Sequence, residues 1–427
     1  MQTSKYYIYI AGLVSWLAYL FLAQQSQSYA DATLSDLYIT SAVSFCMSAC
    51  TLLYYERKGL VIPLAGLMFS ALLFRLTGLY AFPVLEDDFY RYLWDGYQFV
   101  ERGSPYAFAP SYFFTDASVT AHFQDILDNI NYPDIATVYG PTNQYLFALS
   151  YLIAPGEIWP LQLCMIGVDM GIILILSQIA KRNYLVLYAW SPLVIKEFAF
   201  TAHPDVLGVF FVFFAMLLIN KKQLYLGAIM LALALGSKVF AIILIPFLLR
   251  FHIRAWLVFL STTVLIALPF GLRAAWLPEG LSAMAGEWLF NAPIYTALQP
   301  LISVHTLKPI LLSLFSMVWF IYWLYWVKRH DTVFKLRGDY IFLVFFLCIP
   351  AFNPWYLIWL LPFAVISPTP WAWGLSAAVL LSYISGINLS NGQLGLYQQP
   401  HWALCLEFIP VLMLILWRPW LRLKPAY

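Results

Sequence analysis

Runs of about 18 or more apolar residues, the length that carries a helix across a hydrocarbon core of about 30 Å, recur along nearly the whole chain. The sequence therefore predicts an all-α polytopic membrane protein, with residues 1–427 as a single integral membrane domain. Composition agrees: 62% of residues are hydrophobic and 10% charged, where a soluble surface needs roughly a quarter charged. A net charge of +2 without a basic stripe argues against a nucleic-acid partner. Cys46, Cys50, Cys164, Cys348 and Cys405 all lie in apolar stretches, at spacings that suggest neither zinc ligation nor a disulfide framework. Residues 6–23 run into Gln24-Gln25-Ser26-Gln27-Ser28 without a clear cleavage site, which predicts a retained signal anchor.

Lys and Arg collect in cytoplasmic loops, so the basic clusters orient the chain. With Lys5 inside, helices over 6–23, 36–54 and 60–82 return the chain to Arg57-Lys58 and then out to an acidic cluster, Glu86-Asp87-Asp88, on the non-cytoplasmic face. The next basic pair, Lys181-Arg182, demands an odd number of crossings. The stretch 158–180 is taken as the crossing, and 142–154 as a juxtamembrane helix at the interface. Helices over 184–201 and 206–219, short segments over 223–236 and 239–250, and a helix over 255–271 follow. A second outer loop covers 272–302, and a helix over 304–327 leads back to Lys328-Arg329. The last helix ends at Arg418, Arg422 and Lys424, giving about 13–14 transmembrane segments in all. Arg75, Arg91, Arg102, Lys196, Lys238, Arg273 and Lys308 break the charge rule, and most lie beside outer-face acids or in outer loops, where they are candidates for binding an anion.

The long outer loop 83–157 opens with the three carboxylates. If 88–101 is helical, Asp88, Arg91, Tyr92 and Asp95 share a face. A carboxylate near apolar surroundings is a stronger base, while a neighbouring arginine holds it ionised. The plainer alternative is an acidic helix start with Tyr92 and Trp94 as interface anchors. The topology brings further polar groups to the same face: His203 and Asp205 at one turn, Glu197 slightly earlier, Lys238 at the apex of the short hairpin, and Tyr356 within Asn353-Pro354-Trp355-Tyr356. For Lys196 and Glu197 a local ion pair is the rival reading, and for Trp355 a place in the aromatic belt is the better one.

These motifs resemble those of the GT-C superfamily of membrane glycosyltransferases, especially bacterial polyprenyl-phosphate-mannose-dependent mannosyltransferases. The most specific match is Asp87-Asp88-Phe89-Tyr90-Arg91-Tyr92-Leu93-Trp94-Asp95-Gly96, followed by Gly103-Ser104-Pro105-Tyr106-Ala107-Phe108-Ala109-Pro110. Tyr139-Gly140-Pro141 stands where the family often has Tyr-Pro-Pro, and His203-Pro204-Asp205 where His-Asn-Asp is common. The resemblance implies an inverting transferase at the outer membrane surface that moves a hexose, mannose by likeness, from a polyprenyl-phosphate-linked donor to a glycan, lipid or protein hydroxyl. It places the enzyme in a bacterial inner membrane with its site facing the periplasm. On this reading Asp88 is the general base, assisted by Asp87. Arg91, Tyr92, Asp95, His203, Asp205, Lys238, Arg273 and Tyr356 bind donor phosphate or substrate. No cofactor and no dedicated metal-ligand set is expected, although the chemistry leaves open a divalent ion bridging Asp88 and the phosphate. The rival class is a secondary transporter, or a flippase for a lipid-linked saccharide. A transporter predicts polar residues at the midplane of two repeated halves instead of crowded on one face.

Overall fold

Leu34–Lys58 shows how the apolar runs become helices. Thr33 accepts a hydrogen bond from the backbone N–H of Asp36 while the Asp36 carboxylate accepts from the N–H of Thr33, a reciprocal cap that satisfies two otherwise orphan donors. The helix stops at Gly59, whose φ of 63° lies in the left-handed region. Arg57 and Lys58 occupy the last turn, where the helix dipole favours cations.

The computed structural model describes residues 2–28, 33–272, 289–385 and 400–416. Among them the chain is all helical and without strands, apart from one isolated parallel bridge between Phe290 and Ala351. Among the described residues, five helices are long and apolar enough to cross a bilayer: Tyr6–Gln25, Leu34–Lys58, Trp159–Ile179, Ile253–Phe270 and Val304–Arg329. The larger number of spans expected from the sequence included segments that proline, glycine and 3-10 turns cut into shorter apolar helices, such as Leu64–Tyr80 and Gly338–Cys348, while Leu224–Ser237 is the short segment expected over 223–236. The continuous helix expected over 184–201 is one such case. It divides into Leu185–Ala189, Pro192–Ile195 and a π-helical turn at Lys196–Phe200. Pro192 lacks the N–H that would continue the ladder, and the Ser191 hydroxyl caps the restart by accepting from Val194. Most of the second outer loop, 273–288, and the closing cluster Arg418, Arg422 and Lys424 lie outside the described residues.

The chain resolves into two units: Met1–Leu85, Met170–Phe200 and Leu289–Tyr427 form one, and Glu86–Asp169 with Thr201–Trp288 the other. In the first, buried polar groups pin helices together. Arg75, fully buried, donates to the carbonyls of Ala71 (3.0 Å) and Ala189 (2.8 Å), and Trp190 donates to Ser70 at 2.8 Å. Lys196 pairs with Glu197 at 3.2 Å and donates to the Tyr383 hydroxyl at 2.7 Å, while that hydroxyl bonds Glu197. The local ion pair read as an alternative for Lys196 and Glu197 is therefore present.

In the second unit the helix Asp88–Arg102 packs on Pro141–Ile153, Asp205–Asn220 on Leu224–Ser237, and Leu224–Ser237 on Ile253–Ala267. Two close approaches require glycine. A Cβ on Gly96 would lie 2.5 Å from the Phe147 carbonyl oxygen, and one on Gly140 would lie 2.2 Å from that of Gly236. Gly140, the departure from Tyr-Pro-Pro, thus lets the start of the Pro141–Ile153 helix touch the end of Leu224–Ser237. Thr142 donates to the Leu233 carbonyl and Asn143 to that of Ser237, each at 2.9 Å, and they hold the same contact.

Candidate active site

The acid cluster is built at the start of the Asp88–Arg102 helix, where the first backbone N–H groups have no helical partner. Glu86 turns its Oε1 onto two nearby N–H groups, those of Asp87 (3.3 Å) and Asp88 (3.4 Å). Glu86 and Asp87 are buried, whereas Asp88 is partly exposed. The Asn131 amide donates to Asp87 at 2.7 Å and to Asp88 at 2.9 Å, and the Tyr139 hydroxyl donates to the other Asp88 oxygen at 3.1 Å. Burial, reinforced by the Glu86 and Asp88 charges, pushes the Asp87 carboxyl up to about 8, against the pull of Asn131.

Spacing along this helix places Arg91, Tyr92 and Asp95 with Asp88, as expected, but each has its own partners. Arg91 donates to three carbonyls of the returning loop: Ile135 (2.9 Å), Asn131 (3.1 Å) and Tyr132 (3.0 Å). The loop bends sharply there, with Tyr132 at φ 47°. Asp95, 1% exposed, accepts from Thr137 and from Gln144 (2.9 Å). Burial raises its carboxyl to about 6, although Arg91, Gln144 and Thr137 oppose the shift. Tyr92 stacks on Phe147, with ring centroids 5.0 Å apart, and its hydroxyl lies 3.1 Å from His203 Nδ1.

His203 arrives from a distant segment. Ala202, at φ 56°, turns the chain so that His203 Nε2 faces Glu86 Oε2 at 3.3 Å. Two residues on, buried Asp205 pairs with Lys238 at 3.2 Å. Ser237 donates to Asn143 (2.9 Å) and to the Pro204 carbonyl (3.3 Å), which ties this turn to the hairpin apex. Glu86, Asp88 and His203 can each offer a ligand atom within 4.8 Å of the others, a set that could hold a metal ion. Of the residues named from sequence, Asp87, Asp88, Arg91, Tyr92, Asp95, His203, Asp205 and Lys238 belong to this one unit. Tyr356 belongs to the other unit, where it stacks on Phe346, and Arg273 lies outside the described residues. Sequence reasoning missed Asn131, Thr137 and Gln144, which no motif marks, and it set aside Glu86 and Tyr139, whose neighbours carried the signal.

An exposed-edge carboxylate fixed by an amide and a phenol, backed by a buried acid and an imidazole, can accept a proton from a hydroxyl and orient it. No curated protein and no solved structure matches the chain. A family model described as alpha-(1->6)-mannopyranosyltransferase, N-terminal domain, matches residues 21–254, a stretch that contains the acid cluster, Asn131, Tyr139, His203 and Lys238. The match spans more than half of the sequence, and the chain belongs to this alpha-(1->6)-mannopyranosyltransferase family of GT-C membrane glycosyltransferases.

Proposed function

We propose that the protein transfers mannose, with inversion, from a polyprenyl-phosphate-linked donor to a hydroxyl of a glycan, lipid or protein acceptor on the non-cytoplasmic face of a bacterial inner membrane. The observation that carries this reading is the partly exposed Asp88 carboxylate, held on both oxygens by Asn131 and Tyr139. Asp88 takes the proton of the acceptor hydroxyl as the acceptor oxygen bonds to the anomeric carbon. The bond from that carbon to the phosphate oxygen breaks, and its electron pair leaves with polyprenyl phosphate. Attack from the face opposite the departing phosphate inverts the configuration. Asp87, bound to the same Asn131 amide, fixes the orientation of Asp88. The prenyl chain stays in the bilayer while the sugar reaches the loop. Lys238 and Arg273 are the cations assigned to the growing phosphate charge, with Lys238 placed by Asp205.

The test is transfer of labelled mannose from synthetic polyprenyl-phosphate-mannose by the purified protein. Asp88→Asn is expected to lower the rate about 100-fold or more, and Lys238→Met to raise the donor KM. A wild-type protein that uses no such donor, or an Asp88→Asn protein of full activity, overturns the mechanism. Cysteine labelling across 103–137 is expected to succeed only from the outer side; reaction from the cytoplasm alone overturns the topology.

A further inference from the structure

We propose that Glu86, Asp88 and His203 bind a divalent cation. This deepens the transferase reading and rests on it for the ion's role, since a cation there would meet the departing phosphate. Two carboxylates and one imidazole form a mixed oxygen and nitrogen set of the kind that suits first-row divalent ions such as Mn2+. Their ligand atoms lie within 4.8 Å of one another. Atoms bound at about 2.0–2.2 Å to a common ion lie at most about 4.4 Å apart, so slight side-chain rotation closes the site.

The carboxylate geometry independently points to an ion. Glu86 is 3% exposed, and its two oxygens are used differently. Oε1 accepts from the N–H groups of Asp87 and Asp88, whereas buried Oε2 accepts no hydrogen bond and is aimed at His203 Nε2, 3.3 Å away. That oxygen has an ion-pair contact with the imidazole but no aligned hydrogen bond, an arrangement that a cation shared between the two would satisfy. On the far side of the imidazole, Tyr92 lies 3.1 Å from Nδ1, in the supporting position that a metal-ligating histidine ordinarily requires to fix its ring and tautomer. Asp88, the partly exposed member, leaves the outer coordination positions open. Ligation through one Asp88 oxygen leaves lone-pair capacity on the second for the acceptor proton.

The experiment is titration of the purified, chelator-stripped full-length protein with Mn2+ alone, followed by electron paramagnetic resonance and calorimetry. One Mn2+ per chain is expected. Affinity should fall about tenfold or more in both His203→Ala and the near-isosteric Glu86→Gln, and should stay at the wild-type value in Asp116→Asn, a surface acid paired with Arg102. Size-exclusion profiles identify any variant that fails to fold, and Glu86→Gln keeps the test decisive if His203→Ala does so. Absence of stoichiometric binding by the wild type, or unchanged affinity in a folded variant of either ligand, overturns the inference. Binding is read without donor or acceptor. A protein that transfers mannose yet binds no ion therefore overturns the cation alone, and one that binds the ion yet transfers nothing overturns the transferase reading.

Discussion

The carbonyl oxygen of Gly236 stands 2.2 Å from the place a Cβ on Gly140 would occupy. Gly140 directly follows Tyr139, which holds Asp88, and Gly236 lies two residues before Lys238. Gly140→Ala must push the two backbones apart, and overpacking of this kind destabilises by about 1–3 kcal/mol. Thermal unfolding in detergent should show a lowered midpoint together with reduced transfer. Gly167→Ala, with nothing within 4 Å of the added Cβ, should leave both unchanged.

The Asn131 amide donates to both Asp87 and Asp88. A hydrogen bond to a charged group is worth about 1.5–3 kcal/mol, so Asn131→Ala should lower kcat about tenfold or more while the donor KM changes little. Steady-state kinetics with varied donor separates the two parameters, and a pure KM effect would contradict a positioning role.

Asp95 offers a pH signature. Its carboxyl is raised by burial from an ordinary value near 3.8 to about 6 in the fold. Between these values the folded protein binds more protons than the unfolded chain, so stability falls as pH rises from about 4 to about 6 and is level above that. The two-unit difference corresponds to about 3 kcal/mol. Asp95→Asn keeps an oxygen for Thr137 and Gln144 but carries no charge. It should therefore be more stable than wild type at pH 7 and lack the slope between pH 4 and 6. Denaturation midpoints measured across that window check the sign.

Arg91 is committed to three loop carbonyls. Lysine cannot reproduce a planar fork that reaches all three, so Arg91→Lys should raise amide hydrogen exchange across 131–137 severalfold. Direct binding of the donor phosphate by Arg91 would show instead as a raised donor KM with exchange unaltered.

The membrane class and the helical character were legible because hydrophobic run length follows directly from bilayer thickness. The helix beginning at Asp88 was legible for a similar local reason: Asp88, Arg91, Tyr92 and Asp95 repeat at helical spacing. Charge counting also grouped His203, Asp205 and Lys238 with the acids, and all fall in one unit. The individual assignments were beyond local reasoning. Asn131 reaches Asp88 from a returning loop whose carbonyls Arg91 gathers, and that pairing depends on how the loop folds back. Glu86 looked secondary beside Asp88 because nothing near it in sequence supplies the imidazole that it faces. The proline at 192 was visible, yet hydropathy alone carries a helix straight through it.

Arg91 and Asn131 fasten the returning loop directly to the first turns of the Asp88–Arg102 helix, and the Ser111 N–H to Pro133 carbonyl bond, at 2.9 Å, closes the loop again further out. The exposed tip around Thr115 to Ser118 therefore lies beyond two fastenings, and its Asp116 pairs with Arg102, at the opposite end of the helix from Asp88. Doubling such a tip costs only about 0.6 kcal/mol in closure entropy. This makes it a place where a tag can be introduced without moving Asp88.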